Sequence, residues 1–307
     1  APRPGPRPRH SHLAGGRAAR LAAHAPLAPE QWLVVAEATG HAASARVTTA
    51  APISEEEALS LGRLVTEETA IFDPTKGTFS ARRRRQLGAI TLSETPLPAP
   101  KGEMAVKAHL DAVMEHGFSI LPAHNIIEET KARVCITARA TGVDIMFDDQ
   151  LLMARLEDWL PPLLGTPPQF IRLTAAGLRQ ALLALLDWDV TRSLQEHAPL
   201  AHKSPAGREL PIDYLAEGGP AIEGRVQEFF GLKTHPHIGR GQVPLTISLT
   251  SPAKRPVAVT KDLPGFWSAG YRDMVKDMRG RYPKHDWPDD PSTASPHEGR
   301  TKARLNR

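Results

Sequence analysis

The chain has 307 residues, 41% hydrophobic and 23% charged, with a formal net charge of +4 and a sequence pI near 9.3. That length suffices for two or three domains with real cores, and the mild basicity permits a polyanionic partner without requiring one. The single cysteine, Cys135, excludes an internal disulfide framework; with no signal peptide and no apolar run near the roughly 18 residues of a membrane span, a cytoplasmic chain is expected.

Residues 1–10 alternate proline with arginine and glycine and read as an extended, solvated linker. Residues 11–98 read as mostly β. A hairpin turning at Gly15 and Gly16 returns over 18–21, and further strands are expected over 32–36, 45–49, 65–72 and 78–92, with a turn at 73–77. Ser54, with Glu57 three residues on, is a capping box that opens a short helix. Short strands at this density suit an OB-type barrel; by pattern alone, other small barrels fit equally well.

Residues 99–199 read as helical. Val106, Leu110 and Val113 form one stripe that stops at Gly117. Asp149 is placed to cap a helix with the face Leu152, Leu156, Trp159 and Leu160, ended by Pro161 and Pro162. Thr174 caps a longer helix running through Leu178, Leu182, Leu185, Leu186, Val190 and Leu194. Residues 200–291 return to mixed structure. Val243, Leu245, Ile247 and Leu249 alternate with polar or proline positions as a half-buried strand, with partner strands over 256–260 and 208–214. Helices are expected over 222–230 and 263–279, the latter burying Trp267, Tyr271, Met274 and Met278. Residues 292–307 are polar and basic and are expected to be disordered. The fold class expected is α+β multidomain, with an OB-type β-barrel, a helical middle region and a C-terminal mixed α+β domain.

Two basic clusters are the candidate nucleic-acid contacts. Arg82, Arg83, Arg84 and Arg85 are consecutive on a strand, so Arg83 and Arg85 point one way, expected towards solvent, and Arg82 and Arg84 the other. Such a strip can track phosphates; its plain alternative is a solvated sheet edge that blocks aggregation. Arg272, Lys276 and Arg279 share a helix face, and Arg281 and Lys284 follow beside Tyr282 and Trp287, which could stack a base or simply dock. No metal is expected: Asp286, Asp289 and Asp290 lie in a proline-bounded turn, and the pairs His10/His12 and His235/His237 lack further ligands at zinc spacing. Nor is a catalytic residue assigned. Cys135, between Val134 and Ile136, reads as a buried thiol.

The wording of three blocks carries a family resemblance. LPIDYLAEGGPAIEGRVQEFFGL (210–232), VPLTISLTSPAKRPVAVTKDLPGFW (243–267) and LPGFWSAGYRDMVKDMRGRYPKHDWPDDP (263–291) resemble the carboxy-terminal signature of bacterial ATP-dependent RNA helicases of the HrpB type, within the DEAH-box family. LAGGRAARL (13–21) and WLVVAEATGHAASARV (32–47) resemble the OB segment of such helicases, which decides the barrel type. The resemblance implies the rear portion of a larger protein whose partners are RNA (or DNA) and its own motor domains, with ATP and Mg²⁺ as the parent's cofactors. A second reading makes the region a docking module without direct RNA contact. Neither Gly-Lys, needed for a P-loop, nor Asp-Glu, needed for a D-E-x-x box, occurs in the chain, so no ATPase activity is expected from it alone.

Overall fold

The computed structural model describes residues 9–16, 18–21, 26–27, 29–40 and 45–297, without the side chains of 9–12. Most of the expected linker (1–10) and tail (292–307) lies outside the described residues. The chain divides into two compact units, 1–120 with 166–169, and 121–165 with 170–307.

In the first unit, β1 (Arg9–His12) and β2 (Ala18–Leu21) form the expected antiparallel hairpin. β3 (Leu33–Thr39) and β4 (Ala45–Pro52) complete a sheet of order β1-β2-β4-β3, with β2 and β4 parallel. α1 (Glu55–Leu61) starts at the capping box: Glu57 N–H donates to Ser54 Oγ at 3.2 Å, and Ser54 N–H donates to Glu57 Oε2 at 2.8 Å. β5 (Leu64–Asp73), β6 (Thr78–Leu87) and β7 (Ile90–Leu97) form a separate antiparallel sheet with β6 in the centre. Thr75 and Lys76 donate backbone N–H bonds to Asp73 Oδ1, which shapes the expected turn. The single strand expected over 78–92 is two strands. The chain folds back at Gly88, whose φ is +57° and whose absent Cβ would collide with the Ala14 carbonyl oxygen. Among the described residues these are two open sheets, and no strand pairing closes a barrel. α2 (Gly102–His116) covers one face of the three-stranded sheet. The His109 ring lies 4.1 Å from the Phe79 ring, and the His116 ring 5.9 Å from that of Phe72. Gly117, with φ of +77°, ends α2 as expected.

The second unit opens with helices. These are α3 (Asn125–Thr141), α4 (Asp149–Ala154), α5 (Leu156–Trp159), α6 (Pro161–Leu164), α7 (Ala175–Leu183) and α8 (Trp188–His197). The cap of α4 is Asp148, whose side chain accepts from Leu151 N–H; Asp149, the expected cap, is the first helical residue. Thr174 caps α7 as expected, but the helix breaks at 184–187 before α8. Most of the expected leucine faces are in the core: Leu152, Leu156, Trp159, Leu160, Leu178, Leu182 and Leu194 are buried, while Leu185, Leu186 and Val190 around the break are only half-buried.

A five-stranded sheet follows, of order β14-β13-β10-β9-β8, built from β8 (Ala201–Lys203), β9 (Glu209–Asp213), β10 (Ala221–Arg225), β13 (Thr246–Thr250) and β14 (Pro256–Thr260). A two-stranded pair, β11 (His237–Ile238) with β12 (Val243–Pro244), precedes β13, so the alternation over 243–250 belongs to two strands divided at Leu245. The helix expected over 222–230 is instead strand β10, paired in parallel with β13, followed by one 3-10 turn over Val226–Phe229. Ile222 and Gly224 are buried and Glu223 exposed, a period of two. Gly224 fits because a Cβ there would lie 2.8 Å from the Phe229 ring.

The helix expected over 263–279 is α9 (Leu263–Ser268) and α10 (Gly270–Arg281), divided at Ala269. Trp267, Tyr271, Val275 and Met278 are buried, while Met274 is only half-buried. The segment after α10 folds back as a strap: Gly231 N–H donates to Pro291 O at 2.9 Å and His297 N–H to Gln227 O at 3.2 Å.

Candidate nucleic-acid interface

The four consecutive arginines lie on β6, the central strand of its sheet, so the sheet-edge alternative does not apply to them. Strand alternation divides them. Arg83 and Arg85 share a face with Phe79 and Ala81, the face that α2 covers further along; Arg82 and Arg84 lie on the other. All four remain substantially open, with side-chain exposures of 52%, 51% and 42% for Arg82, Arg83 and Arg84. Two acids from the flanking strands answer them. Glu94 on β7 is 2.8 Å from Arg82 and 3.6 Å from Arg84, and Glu68 on β5 is 2.7 Å from Arg83. The hydrogen bond from Arg82 and the charges of Arg84 and Arg82 hold the Glu94 carboxyl below its usual range. Arg85 makes no ion pair among the described residues. Exposed pairs of this kind are weak, and Arg83 Nη1 takes no part in the pair with Glu68, so these guanidinium groups can meet a phosphate at little cost.

The second cluster divides between structure and surface. Arg279 Nη2 donates to Trp287 O at 2.8 Å and to Asp289 Oδ1 at 3.0 Å, which ties the strap to α10. Trp287 is buried, with its indole N–H donating to Tyr282 O at 3.1 Å, so it anchors the strap and presents no ring for stacking a base. Lys276 is paired with Asp273 at 2.9 Å. Arg272, Arg281 and Lys284 are exposed and make no ion pair among the described residues. Arg272, Lys276 and Arg279 line a cleft of about 570 Å³, with Tyr271, Val275 and Pro288 as its apolar lining. Burial pushes the Tyr271 hydroxyl pKa up, and that hydroxyl has no hydrogen-bond partner among the described residues.

The remaining sequence candidates take structural places. His235 Nε2 bonds to Leu245 O at 2.7 Å while its Nδ1 accepts from Leu263 N–H at 3.1 Å, which fixes the neutral Nε2–H tautomer. His237 Nδ1 sits 2.7 Å from His235 O. Asp290 accepts from Ser292 and Thr293 within the strap. Among the described residues no group of three His, Cys, Asp or Glu is placed to hold a metal ion. Cys135 is exposed, contrary to the buried thiol expected, because on a helix the buried neighbours Val134 and Ile136 point about 100° to either side of it.

One consequence is a pH dependence. Burial lowers the pKa of His202, His235, His285 and His297 in the second unit. A histidine held neutral in the fold contributes stability that is full above its unfolded pKa of about 6.5 and declines as pH falls through that value. Protonating His235 also sets a new Nδ1–H against Leu263 N–H, at the start of α9. The denaturation midpoint of this unit is therefore expected to be level above neutrality and to drop over the interval below about pH 6.5. A midpoint that rises over that interval contradicts the assignment.

The chain is similar to known helicase proteins. Residues 159–291 match the family described as ATP-dependent helicase C-terminal, and 61–97 match that of the ATP-dependent RNA helicase HrpB connector region. The ATP-dependent RNA helicase HrpB of Escherichia coli (strain K12) is 36% identical over 290 residues, which is 92% of this chain and 36% of that protein. The crystal structure of the E. coli DExH-box NTPase HrpB matches with a TM-score of 0.60 at 34% identity, over 94% of this chain and 36% of the other. That of the E. coli DEAH/RHA helicase HrpB matches with a TM-score of 0.50 at 31% identity, over 90% and 35%. The chain thus spans little more than a third of the length of these relatives. Among the described residues no helix is long and apolar enough to cross a membrane.

Proposed function

The chain belongs to the HrpB family of ATP-dependent helicases, as a C-terminal region of such a protein, and on that premise we propose that it is an accessory region that binds RNA and supports the motor domains. The observation that carries this reading is the run Arg82, Arg83, Arg84 and Arg85, open to solvent in the segment that matches the connector family. Contact with a nucleic acid here is electrostatic and sequence-tolerant, because guanidinium groups on a strand meet phosphates. The OB-type reading of the first unit belongs to the same proposal, its two open sheets offering flat faces for a single strand. Arg272, Arg281 and Lys284 supply a second basic surface, for RNA or for the motor. ATP and Mg²⁺ serve the motor of the parent protein. The residues present do not fit them, since neither a Gly-Lys nor an Asp-Glu dipeptide occurs.

The test is the salt dependence of binding to a single-stranded RNA. Each phosphate contact on a single strand adds about 0.7 to the log–log slope. Replacing Arg83 and Arg85 together by glutamine is expected to flatten the slope by about 1–1.5 and to weaken binding. The charge-matched control is Lys203→Gln with Lys233→Gln, two exposed lysines of the second unit. Equal weakening by both variants reduces the effect to net charge. If neither variant affects RNA binding while association with separately produced motor domains is lost, the region is a docking module instead.

A further inference from the structure

Beside the arginine strip lies a cleft of about 270 Å³ whose walls differ in chemistry. Glu68, Arg83 and Lys101 supply charge, and Leu97, Pro98 and Met104 an apolar surface. It sits on the α2-covered face of the sheet, where the chain leaves β7 and enters α2.

The state of Glu68 is specific. Arg83 Nε and Nη2 both donate to Oε1, at 2.9 and 2.7 Å. Oε2 accepts no hydrogen bond among the described residues, although a carboxylate oxygen can accept two. An acceptor held by a neighbouring cation, with one oxygen unused, thus shares the cleft with Leu97, Pro98 and Met104. Free phosphate and acidic peptides are disfavoured there by the carboxylate, and a sugar finds few partners on Leu97, Pro98 and Met104. A flat ring with N–H donors suits both walls.

Among the nucleobases one edge fits best. Guanine presents adjacent N1–H and N2–H donors, a fork like the Nε–H and Nη2–H of arginine. Uracil flanks its one N–H with two carbonyl oxygens, which a carboxylate repels. Adenine and cytosine set a ring-nitrogen acceptor next to their amino group. We propose that this cleft takes one unstacked guanine of a single-stranded nucleic acid. Glu68 Oε2 accepts from N1–H and N2–H, as Oε1 accepts from Arg83; the ring lies against Pro98 and Met104, and Lys101 meets an adjoining phosphate. This inference rests on the RNA-binding reading and adds a base preference to it.

The experiment measures binding of an oligouridylate and of the same oligomer carrying one central guanosine, inosine or adenosine, by fluorescence anisotropy. The guanosine oligomer is expected to bind about tenfold more tightly than the oligouridylate, as a good two-donor base contact allows. Inosine, which lacks the N2 amino group, should fall between them, and adenosine should give no gain. In Glu68→Gln the ratio of guanosine to uridine affinity should collapse towards one, and in Lys233→Gln, an exposed lysine outside both basic clusters, it should persist. Tight binding of all oligomers with no guanosine preference overturns the cleft assignment and leaves the RNA-binding reading standing. A preference that survives Glu68→Gln also overturns it. Failure to bind any oligomer overturns both.

Discussion

Trp267→Ala is expected to destabilise the second unit by about 3–5 kcal/mol, the range for removing a large buried aromatic side chain. Trp267 is 6% exposed and joins three contacts that hold the C-terminal part of the unit. Its indole N–H donates to Leu232 O at 3.0 Å, and its ring lies 5.4 Å from Tyr271 edge-on and 6.1 Å from Phe230. Alanine leaves a cavity under α9 and an unpaired carbonyl at the end of the turn after β10. Trp267→Phe keeps most of the volume and loses the hydrogen bond, so it should cost clearly less. Denaturant unfolding of the purified protein gives the numbers, and a loss below about 0.5 kcal/mol for alanine would place Trp267 on the surface.

Arg133→Ala is expected to be comparably severe. Arg133 on α3 is fully buried, and its Nε–H donates to Ala198 O at 2.7 Å. Its guanidinium carbon lies 6.0 Å from the centre of the Tyr214 ring, and the Tyr214 hydroxyl donates to Pro199 O at 2.6 Å. The two side chains thus fasten successive carbonyls where α8 passes into β8. Burial pulls the Arg133 pKa down, while Tyr214 and Glu129 favour the charged form. Alanine removes the packing of a long side chain and strands the Ala198 carbonyl, for an expected loss of about 3–5 kcal/mol. Arg133→Met fills the same space, and replacing a buried ion by an apolar residue of similar volume is often neutral. Alanine should therefore be much the worse of the two. Equal losses would make what both variants remove, the charge and the hydrogen bond to Ala198 O, and not the volume, the source of the stability.

Local signals in the sequence were reliable where the structure is itself local. The Ser54 and Glu57 capping box, the turn at Asp73 to Gly77, the stop at Gly117 and the cap at Thr174 depend on residues within a few positions of each other. The apolar stripes also located the core, because burial of Leu178, Leu182 and Leu194 does not need the helix to be continuous. The larger errors came where distant pairing decides, whereas the cap of α4 differs by one residue, Asp148 for Asp149. Residues 222–225 carry too few apolar positions to separate a helix from a strand, and parallel pairing with 247–250 makes them a strand. For the candidate interface, the arginine run was plain in the sequence. Its partners Glu68 and Glu94 stand 15 and 12 residues from Arg83 and Arg82, and only the strand register brings them together. Trp287 looked available for stacking because a proline-bounded segment reads as exposed; the hydrogen bonds of Arg279 and Tyr282 that bury it are tertiary.

The central claim is that RNA lies along the arginine-bearing sheet of the first unit. Photo-cross-linking with a 4-thiouridine-containing single strand, followed by peptide mapping, tests it most directly. The expected cross-links fall within 64–104, on β5, β6, β7 and the start of α2, and fade as salt is raised. Cross-links confined to the second unit, or an intensity over 64–104 that does not respond to salt, would contradict it.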